Sequence, residues 1–341
     1  MAAKILIFGP SWVGDMVLAH SLFRAIKQSQ PDAVIDVAAP SWTLPLLERM
    51  PEVRRGIALP FRHGELALRA RIAMGRRLRD EGYTQTILLT NSFKSAILPF
   101  ATRIPQRTGF VGELRYGLLN DLRRLDKQRL PRTVDRFLAL ARPANDRSVP
   151  TPPQPRLIAD QVNAQAALQG LGHALPQQPV LGLCPGAEYG EAKRWPIAYY
   201  AEVANAALAA GWQVWLFGSE KDMPVTAEIN QRADGLCLDL GGRTKLGDAI
   251  DLMSLTSAVV SNDSGLMHVA AALDKKVIAI YGSSDPAHTP PMNAQAVIVY
   301  LGLGCSPCFK RKCPLGHLDC LTKIKPSQII AAIPLDNDRH E

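Results

Sequence analysis

Residues 258–273, AVVSNDSGLMHVAAAL, join an apolar strand (Ala258–Ser261) to a helix through Asn262-Asp263-Ser264-Gly265. Asn, Asp and Ser side chains accept from the orphan N–H groups of a first helical turn, and Gly265, lacking a Cβ, lets another molecule approach the backbone. Such a junction presents several N–H donors and the positive end of a helix dipole, which suits a phosphate. Asp263 fits beside an anion only as a helix cap or as an acceptor for a ribose or sugar hydroxyl. His268 lies one turn in and shares the phosphate-facing turn. Against this stand two plain alternatives, an ordinary capped turn and a buried structural imidazole.

A second stretch runs Cys184-Pro-Gly-Ala-Glu188-Tyr189-Gly-Glu-Ala-Lys193-Arg194-Trp195-Pro196. It leaves a strand, turns through two glycines and enters a helix with Pro near its first position, where Pro fits best. Lys193 and Arg194 arrive just before that helix, so cation and dipole can converge on one diphosphate. The spacing is neither GxGxxG nor GxxxxGK[ST], so neither a dinucleotide fingerprint nor a Walker loop is present. At another strand end, Gly218 and Ser219 open a turn suited to a nucleoside.

Asp15 follows the loop Gly9-Pro10-Ser11-Trp12-Val13-Gly14 at the end of the first strand. With an ordinary pKa of about 3.9 it is ionised at neutral pH and can take a proton from an attacking hydroxyl. The alternative is that it only complements a helix dipole. Cys305, Cys308, Cys313 and Cys320, with His317 among them, place four of the six cysteines within sixteen residues. In a reducing compartment such thiols read first as ligands of one tetrahedral structural zinc, and otherwise as free or redox-active thiols.

The elements that must position these residues alternate. Strands are expected at Lys4–Phe8, Val34–Ala38, Gly56–Leu59 and Thr86–Leu89, with helices from Asp15, over Leu44–Met50 and Leu66–Arg79, and opening at 91–94. The Arg-dense residues 103–136 read as loops and short elements. Five prolines among residues 143–155 mark a linker. A helix over 160–171 leads to a second series. Its strands are Val180–Cys184, Gln213–Phe217, Ala258–Ser261 and Lys276–Tyr281, and its helices cover 197–210, 223–233, 246–255 and 266–273. Strands alternating with helices predict an α/β chain of two doubly wound parallel sheets, with ligands at the carboxyl ends of the strands and a cleft between the halves. The expected division is 1–150, a linker and helix over 151–178, a second domain over 179–325, and a closing helix and tail over 326–341. No sequence repeat relates the halves.

The chain of 341 residues has a net charge of +8, unevenly placed: residues 1–150 hold 24 Lys and Arg against 13 Asp and Glu, and the remainder 15 against 18. The first half therefore suits an anionic partner. Aromatic residues make up only 6% and are not interleaved with the basic ones, which argues against nucleic acid. The N-terminal MAAKILIF is too short for a signal-peptide core, and no apolar run approaches the ~20 residues of a membrane span. The expectation is a cytoplasmic protein, at most peripheral on a membrane surface.

GPSWVGDM (9–16), NSFKSA (91–96), RTGF and RYGLLND (within 107–121), CPGAEYGEAKRWP (184–196) and SNDSGLMHVAAAL (261–273) occur in the order found in the lipopolysaccharide heptosyltransferases of glycosyltransferase family nine, which the chain resembles from residue 1 to about 295. The resemblance implies a GT-B fold of two facing Rossmann-like domains with a central cleft. It implies inverting transfer of L-glycero-D-manno-heptose from ADP-heptose to the first heptose of Kdo-lipid A in the inner core, with no catalytic metal. Motif by motif, it puts the base on Asp15 and the diphosphate lysine on Lys193. It puts the donor site on Asp263, Ser264 and Gly265, with His268 one turn on; beside these, Glu188, Tyr189, Gly218, Ser219 and Asn262 are expected to line the donor site. Ser11, Trp12, Lys94, Arg107 and Arg115 are the expected acceptor surface, facing phosphates and Kdo carboxylates at the inner face of the membrane. Alternatives are transfer to the heptose-free core or another core acceptor, and a non-catalytic nucleotide- or nucleic-acid-binding protein. The segment after about residue 296 lies beyond the resemblance.

Overall fold

A computed structural model describes residues 2–61, 65–149 and 151–335, which form two compact units, Met1–Pro155 and Arg156–Glu341. The end of the expected C-terminal tail, 336–341, lies outside the described residues.

The first unit holds six parallel strands: β1 (Lys4–Phe8), β2 (Val34–Pro40), β3 (Val53–Leu59), β4 (Gln85–Leu88), β5 (Gln106–Phe110) and β6 (Asp121–Arg123). Their spatial order is β3-β2-β1-β4-β5-β6. β1 is buried because Ile5, Leu6 and Ile7 face helices on both sides of the sheet, as central parallel strands must. The helix Val13–Ser29 returns the chain over one face and buries Met16, Val17, Leu22, Phe23 and Ile26. The basic helix Leu68–Arg77 packs against the helix Phe93–Thr102, and the contact is close: a Cβ on Gly75 would lie 2.6 Å from the Cβ of Ala101.

The second unit repeats this plan with β7 (Val180–Cys184), β8 (Gln213–Leu216), β9 (Leu238–Asp239), β10 (Ala258–Asn262), β11 (Lys276–Tyr281) and β12 (Val297–Tyr300), ordered β12-β11-β10-β7-β8-β9. Counted from its own first strand, this is the order of the first unit. The repeat absent from the sequence is therefore present in the topology. The strand order reverses between β1 and β4 in one sheet and between β7 and β10 in the other, where ligands of open α/β sheets bind.

Residues 103–136 carry two strands, β5 and β6, and the helix Thr133–Ala139. They look irregular because Arg107 interrupts the apolar pattern, yet its guanidinium is satisfied by the carbonyls of Leu118 and Ile104. The closing helix, Pro326–Ile330, packs on the helix Ile197–Ala209 of the second unit, with Ile329 buried. No helix among the described residues is long and apolar enough to cross a membrane.

Candidate active site

At the reversal point of the second sheet, the loop from Pro185 to Trp195 leaves β7 while Asp263 and Ser264 leave β10. One side chain holds both ends of that loop. The Asn262 amide donates to the carbonyl of Pro185 at 2.6 Å and accepts from the Trp195 N–H at 3.0 Å. Asn262 is wholly buried, and both ends of its amide are bonded to the loop it shapes. Trp195 is locked further by its indole N–H, which donates to the carbonyl of Ile324 at 3.0 Å.

Held this way, the loop brings Lys193 Nζ to 2.5 Å from Asp263 Oδ2. The same oxygen accepts from the Ser284 hydroxyl. Asp263 is thus an ion-pair partner; the cap position of the helix Gly265–Ala272 falls on Ser264, whose side chain makes no capping bond. Ser264 and Gly265 are half-buried at the start of that helix. Two cations lie over the Tyr189 ring, Lys193 Nζ at 5.1 Å and the Arg311 guanidinium at 5.3 Å from its centroid. His268, one turn into the helix, is buried, and burial pushes its imidazole down to about 4, against an opposing pull from Asp263 and with a smaller push from Lys193. It is neutral at physiological pH, and its Nδ1 has no hydrogen-bond partner.

Gly218 and Ser219 lie at the end of β8, where the Ser219 hydroxyl donates to Asp222 Oδ2 at 2.7 Å in a capping box. That hydroxyl serves the fold. Gly186 brings its loop against Asp222: a Cβ there would sit 2.6 Å from Oδ1. Glu188 pairs at 2.5 Å with Lys221 on the exposed rim.

In the first unit, Asp15 is a half-buried residue of the first helical turn after β1. Trp12 precedes that helix and is exposed, and the Ser11 carbonyl accepts from the indole N–H of Trp42 at 3.1 Å. Lys94 is half-buried in the first turn of the helix after β4. Asp15 and Lys94 therefore flank the reversal point of this sheet.

Arg115 is a correction to the expected acceptor surface, whereas Arg107 is half-buried with its Nε and Nη1 on carbonyls. Arg115 is fully buried; its Nη1 donates to the carbonyl of Thr90 at 2.6 Å, and its Nη2 to Asn91 Oδ1 at 3.1 Å and to the carbonyl of Phe110. Burial pushes it down to about 10, with Glu113 opposing, so it stays charged. Sequence shows that an arginine is cationic but not that carbonyls await it. Ser284 and Arg311 were missed, as was the strap that carries Arg311. Ser284 had one legible signal, its place just past the carboxyl end of an apolar strand beside β10. Arg311 had none, since it meets its partners across more than a hundred residues of chain.

Residues 71–319 match glycosyltransferase family 9 (heptosyltransferase). The chain is 44% identical to lipopolysaccharide heptosyltransferase 2 of Salmonella typhimurium over 335 residues, 96% of each chain, and 43% identical to that of Escherichia coli K12, again over 96% of each. These alignments extend beyond residue 296. Among solved structures it is similar to the E. coli ADP-heptose lps heptosyltransferase II, with a TM-score of 0.86 and 40% identity over 96% of this chain and 97% of that one. A glycosyltransferase from Veillonella parvula, at 20% identity and TM-score 0.84, shares the fold. With two Rossmann-like sheets of one strand order, a cationic centre at the reversal point of the second, and this similarity along nearly its whole length, the chain belongs to glycosyltransferase family 9.

Proposed function

We propose that the protein transfers L-glycero-D-manno-heptose from ADP-heptose to the first heptose of Kdo-lipid A, with inversion, in the assembly of the lipopolysaccharide inner core. The observation that carries the donor half is the meeting of Lys193, Asp263 and Tyr189 beside the N-terminus of the helix Gly265–Ala272. A lysine and a helix dipole together supply positive charge where the leaving diphosphate gathers negative charge, and such charge counts most in the transition state. With that charge in place, the reaction as proposed runs without a catalytic metal.

Inversion requires one in-line displacement. Asp15 takes the proton from the attacking acceptor hydroxyl as that oxygen bonds to the anomeric carbon and the bond to ADP breaks. Asp263 has a positioning role: it holds Lys193 before the diphosphate arrives. Lys94, Trp12 and Ser11 remain the proposed acceptor contacts, with Arg115 supporting the loops beneath them. Contact with the membrane that carries the acceptor falls to the first unit, where Leu66, Leu68, Arg69, Arg76 and Arg77 are exposed together on and beside one basic helix.

The test is ADP release from ADP-heptose without added divalent metal, on Kdo-lipid A bearing either no heptose or one. Turnover on the mono-heptosylated acceptor alone is the expected result. Turnover on the heptose-free acceptor would move the protein one step earlier. Nucleotide binding with no turnover on either would overturn the assignment.

A further inference from the structure

We propose that Cys305, Cys308, Cys313 and Cys320 bind one tetrahedral divalent cation of the zinc class, and that this site fixes the strap Phe309–Lys312 against the loop carrying Tyr189 and Lys193. The metal half stands on the cysteines alone. The second half rests on the reading of that loop as the donor site.

The four cysteines and His317 line a single cavity of about 20 Å³, room for one water-sized body. The cysteines come from two turns and a short helix: Cys305 and Cys308 lie past β12, Cys313 opens the turn to Leu318, and Cys320 is buried in the helix Asp319–Thr322. The Gly316 N–H donates to the Cys313 carbonyl at 3.2 Å and closes that turn. His317 commits Nδ1 to the backbone N–H of Asp319 at 2.9 Å, which leaves the sulfurs as the ligand set. Among the described residues no three ligating groups stand in a finished metal geometry. The cation would therefore draw the thiols inward by side-chain rotation, from an exposed Cys305 and partly exposed Cys308 and Cys313. Soft thiolates select zinc over magnesium or calcium, and four of them close the coordination shell. Each thiol that coordinates gives its proton to solvent.

The wall of this cavity is also the wall of the lysine loop. Ala192, the residue before Lys193, lines it, as does Ser283, the residue before Ser284. Between Cys308 and Cys313 the chain runs as a strap tied at four points. The N–H groups of Cys308 and Phe309 donate to the Ser283 carbonyl at 3.1 and 2.7 Å, the Ala192 N–H donates to the Arg311 carbonyl at 3.1 Å, and the Tyr189 hydroxyl donates to the Phe309 carbonyl at 2.8 Å. Gly190 makes the approach possible: its φ is +155° and a Cβ there would lie 2.5 Å from the Arg311 oxygen. Two cysteines on each side of this strap, drawn to one ion, would hold both of its ends.

The experiment uses the full chain, purified under reducing conditions and supplied with zinc. Elemental analysis is expected to give one zinc per chain. Cobalt replacement should give a thiolate-to-cobalt charge-transfer band, and titration with an organomercurial should release the metal. Cys308→Ser is expected to bind zinc at least roughly 10-fold more weakly and to raise the KM for ADP-heptose several-fold with kcat little changed. Arg311→Ala should keep the zinc and raise the same KM. Absence of zinc after reconstitution, with no cobalt charge-transfer band, would overturn the metal site; this reading on the unmodified protein needs no variant to fold. One zinc per chain with KM unmoved in both variants would overturn the coupling to the donor loop. Failure of the proposed reaction itself would show separately, as no turnover by the unmodified protein on either acceptor.

Discussion

Lys193 Nζ and Asp263 Oδ2 lie 2.5 Å apart, with Asp263 5% exposed. A diphosphate that takes Lys193 as its counter-ion must share it with this carboxylate or displace it. Asp263 retains the Ser284 hydroxyl in either case. Lys193→Gln is expected to lower kcat/KM on the order of 10²–10³-fold, the cost of one lost charge-stabilising donor. Asp263→Asn leaves Lys193 unpaired and should weaken turnover less. A double-mutant cycle measured by ADP release should show coupling between the two changes.

Asp15→Asn keeps the shape of the first helical turn and removes only the proton acceptor. Turnover should fall by roughly 10²–10⁴-fold, the range for general base catalysis, while ADP binding measured by calorimetry stays unchanged. Loss of nucleotide affinity in this variant would contradict a role confined to the acceptor proton.

Arg115→Lys separates a structural arginine from an acceptor-binding one. Lysine cannot reproduce the fork that spans the carbonyls of Thr90 and Phe110 and the amide of Asn91. Leaving such acceptors buried without a donor should cost about 2–3 kcal/mol, read as a lowered urea midpoint. The KM for ADP-heptose should not move.

His268 makes stability depend on pH in a defined direction. Its folded value of about 4 lies below the ordinary 6.5 because burial disfavours the charged ring, so the unfolded chain binds the proton more readily. The contribution is fully present above pH 6.5 and is lost as pH falls toward 4, amounting to about 3 kcal/mol across the window. His268→Gln should flatten the dependence of Tm on pH between 6.5 and 4.

The legible part of this fold was the part written in apolar runs. β1, β7, β10 and β11 are near-continuous in Val, Ile, Leu and Ala because both faces of each are covered. β9 and β12 stayed hidden for the opposite reason: one has two residues and the other lies half-buried at an edge. In the candidate site, Asp263 was legible from its place at a strand end, and Lys193 and His268 from theirs beside and within the first turn of a helix. Asn262 and Ser219 were equally well placed in sequence, yet their polar atoms serve the backbone and a capping box. Charge misled most at Arg115, where the partners are carbonyls that any sequence carries.

The strap from Phe309 to Lys312 has a consequence for the order in which the protein is made. The first unit draws on a contiguous stretch ending at Pro155, so it can complete its sheet while the second is still being synthesised. The Tyr189–Lys193 loop has no such independence. Its strap partners Phe309 and Arg311 follow it by more than a hundred residues of chain. A nascent chain can therefore fold its basic half early but closes the wall of the Lys193 loop only once the strap has been made, and a chain cut short before the strap would fold in part without that wall.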